Sequence, residues 1–537
     1  MKKLCMAGLV FAVIATMIAA CSDHNSVTQS LEPDYRKAAE REYKKLLDAW
    51  FYQGDEHTLM WYQGNALDTL IDYVSITQDA GKGADLGEKI KILWSKAEPE
   101  GAWWDDFGWW GVAFLNAAKN YKILGQPDAA EYMENAADCL KDHMDKATAV
   151  WDMATQEPSC IPCLNTPPAN WYRFEPRFTG GVWNSAFAGL TPGPQESCNP
   201  NNTDPPPDPE IPVGTPEDDC SILNPLQNTV TNGLYLVLNT RYCLQNPQIE
   251  ETRRDRTLAI YGWFKNWMEV MDTEITLCYG NTVKPSLLNS ETGLVRERVA
   301  TYGQDILKSP GCFTGVKWYE QDLSWAGDQG IVLGGLVDIL NSDLTEDNRW
   351  LLEKAKGIID GVRNHMNKGV SGSTHDNLAP EVLRPWTKFD GWGPDGDPDS
   401  PFTAPGGFGF GDPDYPRVGD PEYDAVCSCT NLQKDPPCPS EPPKVALDPS
   451  TNYIAGPGIF MRYLLYAYQN SHDLKDHIRT LEYLAFLKAN ADAVMWETYS
   501  CACKNPIGTQ KYNACNLSCQ ITRLATLNAA MVILAPK

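Results

Sequence analysis

The sequence predicts an all-α protein of the (α/α)6 barrel class, a toroid in which an inner ring of helices is surrounded by an outer ring. The first observation is that apolar residues recur at helical spacing in about a dozen stretches, while no comparable series of alternating strands is found. These stretches cover approximately residues 34–53, 60–78, 84–96, 104–124, 127–147, 227–246, 249–273, 322–342, 345–367, 456–471, 474–497 and 521–536.

The second observation is that the stretches alternate in charge. Those that begin near residues 60, 104, 227, 322, 456 and 521 are apolar and rich in Gly, Ala, Asn and Trp, whereas those near 34, 127, 249, 345 and 474 carry far more charged residues. A helix with few charges is buried all round, and an amphipathic helix keeps one face in water. The alternation predicts two concentric layers, in which the inner helices bring their first residues to one end of the barrel.

Two long segments interrupt the helical pattern, at about 155–226 and 369–455, and both are rich in Pro, Gly, Asp and Cys. Prolines such as those at 205–207 remove amide donors and fix the backbone, so these segments are predicted to be loop insertions. They are interpreted either as inert decorations or as walls of a binding groove. Acidic residues alternate at 395–399 as in a calcium loop, but glycine occupies the position where the closing glutamate is expected, which favours a solvated turn.

The N-terminus carries an export signal. Two lysines precede an apolar run at 9–20 that is too short for a comfortable membrane span, and small residues lead directly to Cys21. This pattern resembles a bacterial lipoprotein signal, which implies cleavage after residue 20 and lipidation of Cys21. The alternative is a cleaved secretory peptide with an incidental cysteine. Ser22 favours the outer membrane or cell surface over retention in the inner membrane.

Beyond the signal, residues 21–32 are predicted to form a flexible tether and 33–537 a single (α/α)6 catalytic domain with the two insertions. The chain has 70 acidic and 45 basic residues, a formal net charge of −25. A protein this acidic repels polyanions, so nucleic acid is excluded as a partner. The motifs of serine hydrolases, P-loop proteins and dinucleotide-binding folds are also missing from the sequence.

Seventeen cysteines are typical of an exported protein. Setting aside Cys5 in the signal and Cys21 leaves an odd number, so at least one is unpaired or bonds elsewhere. Disulfides that staple the long loops are the favoured interpretation. The alternative is a zinc site in the last cluster, whose Cys-x-Cys spacing differs from the usual Cys-x2-Cys knuckle. That cluster consists of Cys501, Cys503, Cys515 and Cys519.

The most informative block is 101–110, where Asp105 and Asp106 stand among four tryptophans at the start of an apolar helix. Tryptophan faces stack on pyranose rings, and cleavage of a glycosidic bond needs one protonated and one ionised carboxyl group. Two adjacent carboxylates do not easily both ionise, so one pKa rises and supplies the acid. The alternative is an acidic pair that only complements the dipole of the helix.

Six segments of the chain, in order, resemble glycoside hydrolase family 76, the endo-acting α-1,6-mannanases. They are 61–68, 103–110, 180–184, 231–235, 328–336 and 458–464. The Trp-Trp-Asp-Asp block at 103–106 is the most specific of them. The chain departs from the commoner Tyr-Asn-Gln-Gly pattern by reading Gly-Asp-Gln-Gly at 327–330, which leaves the length and branching of the substrate open.

The resemblance implies an (α/α)6 barrel that cleaves mannan with retention and without a cofactor or metal, with Asp105 as nucleophile and Asp106 as general acid/base. Asp328 is expected to be a third carboxylate that binds hydroxyl groups and tunes the pair. The alternatives are that the tryptophans pack the core and that the amide side chains satisfy buried backbone groups. The candidate sugar contacts are Trp61, Asn65, Trp103, Trp104, Trp183, Trp325, Asp328 and Gln329.

The sequence leaves three rival functions open. The first is a transglycosidase acting on α-mannan, the second a non-catalytic surface lipoprotein that binds glycans, and the third an enzyme of another (α/α)6 family. An intact like-charge pair argues against the binding protein, which has no reason to keep it. The expected partners are an α-mannan polysaccharide and, through Cys21, a membrane, and the protein is expected to be a monomer.

Overall fold

The architecture was analysed in a computed structural model. The structure describes residues 34–53, 58–59, 61–94, 98–99, 104–126, 129–145, 148, 151–152, 157–158, 180–182, 198, 227–246, 251–269, 275–276, 282–283, 286–297, 324–366, 382–383, 386–387, 453–495 and 514–535. Within these ranges the helices are α1 (Tyr35–Gln53), α2 (Trp61–Thr77), α3 (Ala80–Trp94), α4 (Trp104–Lys119), α5 (Ala130–Asp145), α6 (Thr229–Gln245), α7 (Glu251–Met268), α8 (Ala326–Leu340), α9 (Asn348–His365), α10 (Gly456–Asn470), α11 (His472–Ile478), α12 (Leu481–Met495) and α13 (Ala514–Ile533).

The strands in the described part of the chain have two residues each and form four separate pairs. β1 (Thr58–Leu59) pairs in parallel with β2 (Glu98–Pro99). The antiparallel pairs are β3 (Trp151–Asp152) with β4 (Glu157–Pro158), β5 (Ile275–Thr276) with β6 (Thr282–Val283), and β7 (Ser324–Trp325) with β8 (Trp386–Thr387). The fold is therefore carried by helices.

Six helices close into a ring. Helix α2 packs against α4, α4 against α6, α6 against α8, α8 against α10 and α10 against α13, and α13 returns to α2. Each ring helix has an outer neighbour: α3 covers α2, α5 covers α4, α7 covers α6, α9 covers α8, α11 covers α10, and α1 and α12 cover α13. This arrangement confirms the predicted (α/α)6 barrel.

Burial explains why the two layers differ in composition. Every residue of α8 from Ala326 to Ile339 is buried, as expected for a helix with neighbours on all sides. In its outer partner α9 the buried apolar residues recur three to four positions apart and form one stripe, with charged residues on the other face. The low-charge stretches predicted as inner helices are the ones that form the ring.

Small residues let the inner helices approach closely and fix their direction. A Cβ atom on Gly108 of α4 would lie 2.8 Å from Cβ of Leu234 in α6, and one on Gly111 would lie 2.8 Å from Leu238. Because the residue numbers of the contacting positions rise together along both helices, α4 and α6 run parallel. Gly330 and Gly334 of α8 likewise face Phe460 and Tyr463 of α10. Parallel inner helices place their first turns at one end, which we call the mouth of the barrel.

Below the first turns of the inner helices, paired charges fill the interior of the ring. A side-chain nitrogen of Arg462 in α10 lies 3.3 Å from a carboxylate oxygen of Asp68 in α2. Asn116 of α4 donates to Asp68 over 2.6 Å, and Arg241 of α6 pairs with Asp338 of α8 over 2.9 Å. Since α10 and α2 are separated by α13 in the ring, the Arg462–Asp68 pair spans the interior and ties distant helices together.

Two predicted boundaries were wrong. The stretch 474–497, predicted as one helix, contains α11 and α12. The N–H of Arg479 still makes the helical bond to the carbonyl of Lys475, and the N–H of Thr480 then bonds to the carbonyl of His477 three residues back, which tightens the last turn and ends the first helix. The final helix begins at residue 514 instead of 521. Among the described residues, no helix has the length and apolar character needed to cross a membrane.

Candidate active site

The aspartate pair lies in the first turn of an inner helix. Helix α4 begins at Trp104, so Asp105 and Asp106 follow at once, before the helix enters the core. Asp106 is 7 % exposed and Asp105 is partly buried. At this position two consecutive side chains can both reach the space at the mouth, although neighbouring residues of a helix point about 100° apart.

The mouth also brings the pair into contact with the next inner helix. The main-chain N–H of Trp61, the first residue of α2, donates to the carboxylate of Asp106. One of the N–H groups that the start of a helix leaves without an internal partner is thereby satisfied by a carboxylate. This contact fixes the orientation of Asp106.

Burial raises the pKa values of both carboxyl groups. It raises the pKa of Asp105 to about 7, the charge of Glu297 adds to this, and the N–H of Asp105 itself opposes it. Burial and the charge of Asp105 raise the pKa of Asp106 well above its usual range. Because the two carboxyl groups interact, they ionise in separate steps, so that one can hold a proton while the other is charged.

Glu297 is a neighbour of the pair that the sequence did not reveal. It lies partly buried at the end of the segment 286–297, and its main-chain oxygen accepts the N–H of Thr229, the first residue of α6, over 2.8 Å. In the sequence it stands between two arginines and resembles any solvated loop charge. Only the path of the chain brings its charge near enough to act on Asp105.

The predicted aromatic residues take different positions. Trp61 is partly exposed, and its ring lies 5.4 Å from that of Trp109 and 6.5 Å, edge-on, from that of Trp325. Trp104 and Trp325 are each only 2 % exposed, so their rings are covered by protein. The positions of Trp104 and Trp325 fit the alternative that a tryptophan packs the barrel wall. Among the described candidates for sugar contacts, Trp61 is the tryptophan that is partly exposed.

Gln329 satisfies backbone groups. Its side-chain oxygen accepts the N–H of Val295 over 2.8 Å, and its side-chain nitrogen donates to the carbonyls of Val295 and Trp325 over 2.7 and 3.1 Å. Both amide hydrogens are used and the residue is fully buried. This amide clamps the segment 286–297 to the start of α8, which fits the alternative that the amide side chains satisfy buried backbone groups, and its role as a sugar contact stays a prediction.

Asn65 and Asp328 are also fully buried. The side-chain oxygen of Asn65 accepts from Arg462, so Asn65 belongs to the polar interior one turn below the mouth. Asp328 lies in the first turn of α8, at the same end of the ring as the aspartate pair. Its predicted role in tuning the pair stays a prediction, while Glu297 is the carboxylate that acts on Asp105.

Several expectations fall outside the described residues. These are the sugar contacts Trp103 and Trp183, the lipidation site Cys21 with the signal and tether, and most of the insertions 155–226 and 369–455.

The first insertion is anchored to the barrel at two described points. The side chain of Asn232, in the first turn of α6, accepts the N–H of Val182 over 2.7 Å and donates to its carbonyl over 3.1 Å. Cys198 forms a disulfide with Cys139 of α5, which confirms that a disulfide staples a loop to the scaffold. Both anchors lie on elements that pack against the helix of the aspartate pair.

The cysteines also bear on metal binding. Cys519 is disulfide-bonded, which argues against the alternative of a zinc site in the last cluster. Cys139, Cys198 and His143 place ligand atoms within 4.8 Å of one another. Because the two sulfur atoms are joined in the disulfide, no thiolate is available there to bind a metal.

Fold and site together define an (α/α)6 barrel with a buried carboxyl pair at its mouth. No protein-family model and no curated protein matches the chain. Among solved structures it is similar to the GH76A α-1,6-mannanase from Salegentibacter sp. HEL1_6, at 13 % identity and a TM-score of 0.48 over 93 % of this chain and 100 % of that one. An inactive variant of that enzyme, in complex with α-1,6-mannotetrose, gives 13 % and 0.49 over the same shares.

Dfg5 from Chaetomium thermophilum, in complex with glucosamine, is similar at 13 % identity and a TM-score of 0.47, over 94 % of this chain and 93 % of that one. At these identities and scores, the function has to be argued from the residues of this chain.

Proposed function

We propose that this protein is a retaining glycoside hydrolase that cleaves α-1,6-mannosidic linkages in mannan. The observation that carries the proposal is the pair Asp105 and Asp106, two adjacent carboxyl groups at the mouth of the barrel that ionise separately. The choice of α-1,6-mannan rests on the ordered segments that resemble glycoside hydrolase family 76, above all the Trp-Trp-Asp-Asp block.

The geometry supports retention. Retaining enzymes hold their carboxyl groups about 5 Å apart, a separation that neighbouring side chains can meet, whereas inverting enzymes need room for a water molecule between them. In the first step, the ionised Asp105 attacks the anomeric carbon while Asp106 gives its proton to the departing oxygen. In the second, Asp106 takes a proton from water, which attacks the same carbon and releases Asp105.

The difference in ionisation gives each residue its role. A nucleophile has to be charged and a general acid has to hold its proton at the same pH. The N–H of Trp61 orients Asp106, and the charge of Asp105 keeps the proton on it. When the glycosyl intermediate forms, the charge of Asp105 is consumed, so the pKa of Asp106 falls and the same group becomes a base for water.

We also propose that the enzyme works outside the cytoplasm, lipid-anchored through Cys21. The support is the signal pattern at 1–21 together with the number of cysteines. Labelling of the expressed protein with a radioactive fatty acid, lost in Cys21→Ser but not in Cys243→Ser, tests this. A wild-type protein that takes up no label contradicts the anchor and leaves the enzymatic proposal intact.

The activity is tested with purified protein on linear α-1,6-mannan and a panel of other α- and β-linked glycans. We expect cleavage of the mannan, and a loss of about 10³-fold or more in Asp105→Asn and in Asp106→Asn. Asp473→Asn is the matched control, because it makes the same change at an exposed first-turn aspartate of the outer helix α11. Turnover of another polymer overturns the substrate, and full activity of both variants overturns the mechanism.

Two readouts separate the finer alternatives. NMR of the fresh product shows the α-anomer first if the reaction proceeds with retention and the β-anomer first if it inverts. Product analysis with an added acceptor glycan separates transfer from hydrolysis. Binding of mannan without any turnover by the wild-type protein supports the glycan-binding rival.

A further inference from the structure

The segment 286–297 is a stiff hairpin. Its arms meet at the bridge between Leu288 and Val295, and the N–H of Arg296 donates to the carbonyl of Leu287 over 2.8 Å. The turn contains Gly293 at φ +73°, a left-handed conformation that glycine adopts without strain. The buried side chain of Arg296 crosses back to the carbonyl of Ser286 over 2.6 Å. The last residue of the hairpin, Glu297, is therefore held by a rigid body.

The hairpin is fastened to the first turns of two neighbouring inner helices. Gln329 of α8 makes both amide bonds to Val295 described above. Thr229 of α6 donates its N–H to the carbonyl of Glu297 and its hydroxyl to the carbonyl of Arg296. These bonds place Glu297 at the mouth of the barrel and leave its main chain little freedom to move.

The register of the inner helices puts Glu297 at nearly the same height in the barrel as Asp105. Gly108 of α4 is level with Leu234 of α6. Counting back along both parallel helices, Asp105 is level with a position only two residues after Thr229. At 1.5 Å per residue, the residue that binds Glu297 lies about 3 Å along the axis from the level of Asp105.

The surrounding charges single out this carboxylate. The titratable groups on α4 and on the helices packed against it include Asp106 on α4, Asp68 and Asp72 on α2, His143 and the ion-pair group of Lys141 with Asp138, Asp142 and Asp145 on α5, and Tyr235 and Arg241 on α6. One helix further round the ring, Asp328 lies on α8. Burial is the main cause of the raised pKa of Asp105, and the charge of Glu297 adds to it. Asp106 is the other carboxyl group in the same turn of α4.

We infer that Glu297 is a third carboxylate of the active site, a positioning residue that the hairpin holds at the mouth, level with the first turn of α4, so that its charge acts on the nucleophile Asp105. The inference rests on the proposed function for its catalytic meaning. It assigns the trio Asp105, Asp106 and Glu297, drawn from two places in the chain, to one electrostatic unit. Its consequence is that the enzyme works at a higher pH than the aspartate pair alone would allow.

The kinetic test compares pH profiles of kcat/KM on α-1,6-mannan. In Glu297→Gln the like charge is gone, so the acidic limb shifts by about one pH unit to lower pH, the order of magnitude expected for one nearby charge. Glu297→Asp keeps the charge and is expected to keep the limb close to its original position. Glu291→Gln is the matched control, because it removes the same charge from the exposed turn of the same hairpin.

An unchanged limb in Glu297→Gln, or an equal shift in Glu291→Gln, overturns the inference. If Glu297→Gln fails to fold, Glu297→Asp and Glu297→Ala are compared instead. An acidic limb at the wild-type pH in Glu297→Asp and at lower pH in Glu297→Ala supports the inference, and an acidic limb at the same pH in both variants overturns it.

A second test needs no activity. Asp105→Asn and Glu297→Gln are combined in a double-mutant cycle, and the melting temperature is measured at pH 8 and pH 4. If the two charges repel, Asp105→Asn raises the melting temperature at pH 8 by less in the Glu297→Gln background, and the coupling vanishes at pH 4. Additive effects at both pH values overturn the inference, and lack of mannan cleavage by the wild-type protein overturns only the proposed function.

Discussion

The main-chain N–H of Trp61 donates to the carboxylate of Asp106, so the first residue of one inner helix orients the acid in the first turn of the next. This bond opposes the rise in the pKa of Asp106, whereas burial and the charge of Asp105 cause it. Proton affinity and position of the acid are thus set by different contacts. The predictions below separate these contributions and those of the scaffold.

The proposed activity is expected to have a bell-shaped pH dependence of kcat/KM with an unusually high acidic limb. Activity needs Asp105 ionised and Asp106 protonated, so the rise follows the pKa of Asp105, about 7, and the fall follows the higher pKa of Asp106. Because the two groups interact, both limbs report the pair. Initial rates between pH 4 and 10 check this, and half-maximal activity near pH 4 on the acidic side contradicts it.

The buried carboxyl groups of Asp105 and Asp106 are expected to destabilise the folded state at neutral and alkaline pH. The folded pKa of Asp105 lies above the unfolded value, so the folded state binds the proton more tightly, and stability falls as the pH rises from about 4 to about 7. Asp105→Asn removes this loss. We expect the free energy of unfolding of this variant at pH 8 to be about 1–3 kcal/mol higher than that of the wild type.

At pH 4 the wild type and Asp105→Asn should differ little, because the carboxyl group is then protonated in both states. Chemical denaturation at the two pH values provides the measurement. A variant that is no more stable at pH 8 than the wild type argues against a buried, strained carboxylate.

Loss of the buried cation Arg462 is expected to be severe. Arg462→Met leaves Asp68 as an uncompensated charge inside the ring and should cost about 3–5 kcal/mol of unfolding free energy. Arg349→Met removes a cation from the exposed pair with Glu353 and should cost less than about 1 kcal/mol. Urea denaturation of both variants tests the contrast, and equal losses would show that the interior pair is well hydrated.

The contact between α8 and α10 is expected to tolerate no extra methyl group at Gly330. A Cβ atom there would lie 2.7 Å from the Cα of Phe460, which is main chain and cannot rotate away. Gly330→Ala should lose about 1–3 kcal/mol. Gly357→Ala, on outer helix α9, meets nothing within 4 Å and should gain up to about 1 kcal/mol from helix propensity. Melting temperatures that move in the same direction contradict this account.

The disulfide between Cys139 and Cys198 is expected to stabilise the fold. It closes a loop between residues 59 positions apart, for which loop entropy predicts about 4 kcal/mol. Cys198→Ser should lower the melting temperature, and added reductant should lower it further by less in this variant than in the wild type, because the variant has one disulfide fewer to lose. Cys243→Ser, at a half-buried free cysteine, is the control and should change it little. A melting temperature unaffected by Cys198→Ser contradicts the prediction.

Local patterns were enough to predict the helices and their layers. The low charge of the stretch at 322–342, which has three aspartates and no basic residue, predicted a helix buried on every side, and α8 is buried from Ala326 to Ile339. The sequence does not reveal the break between α11 and α12, because the tight turn at Arg479 and Thr480 contains no glycine or proline to mark it. Helix periodicity reports which face is apolar, whereas it does not report where a helix tightens and ends.

The sequence by itself determined the barrel class, the aspartate pair at the start of an inner helix and the segments that suggest a mannanase, because each is written in neighbouring residues. Only the tertiary structure decided that Gln329 clamps a hairpin, that Trp104 and Trp325 are covered, and that the charge of Glu297 acts on Asp105. These facts depend on contacts between helices far apart in the chain. Burial and charge act through space, so their effect on a carboxyl group is fixed only when the ring closes.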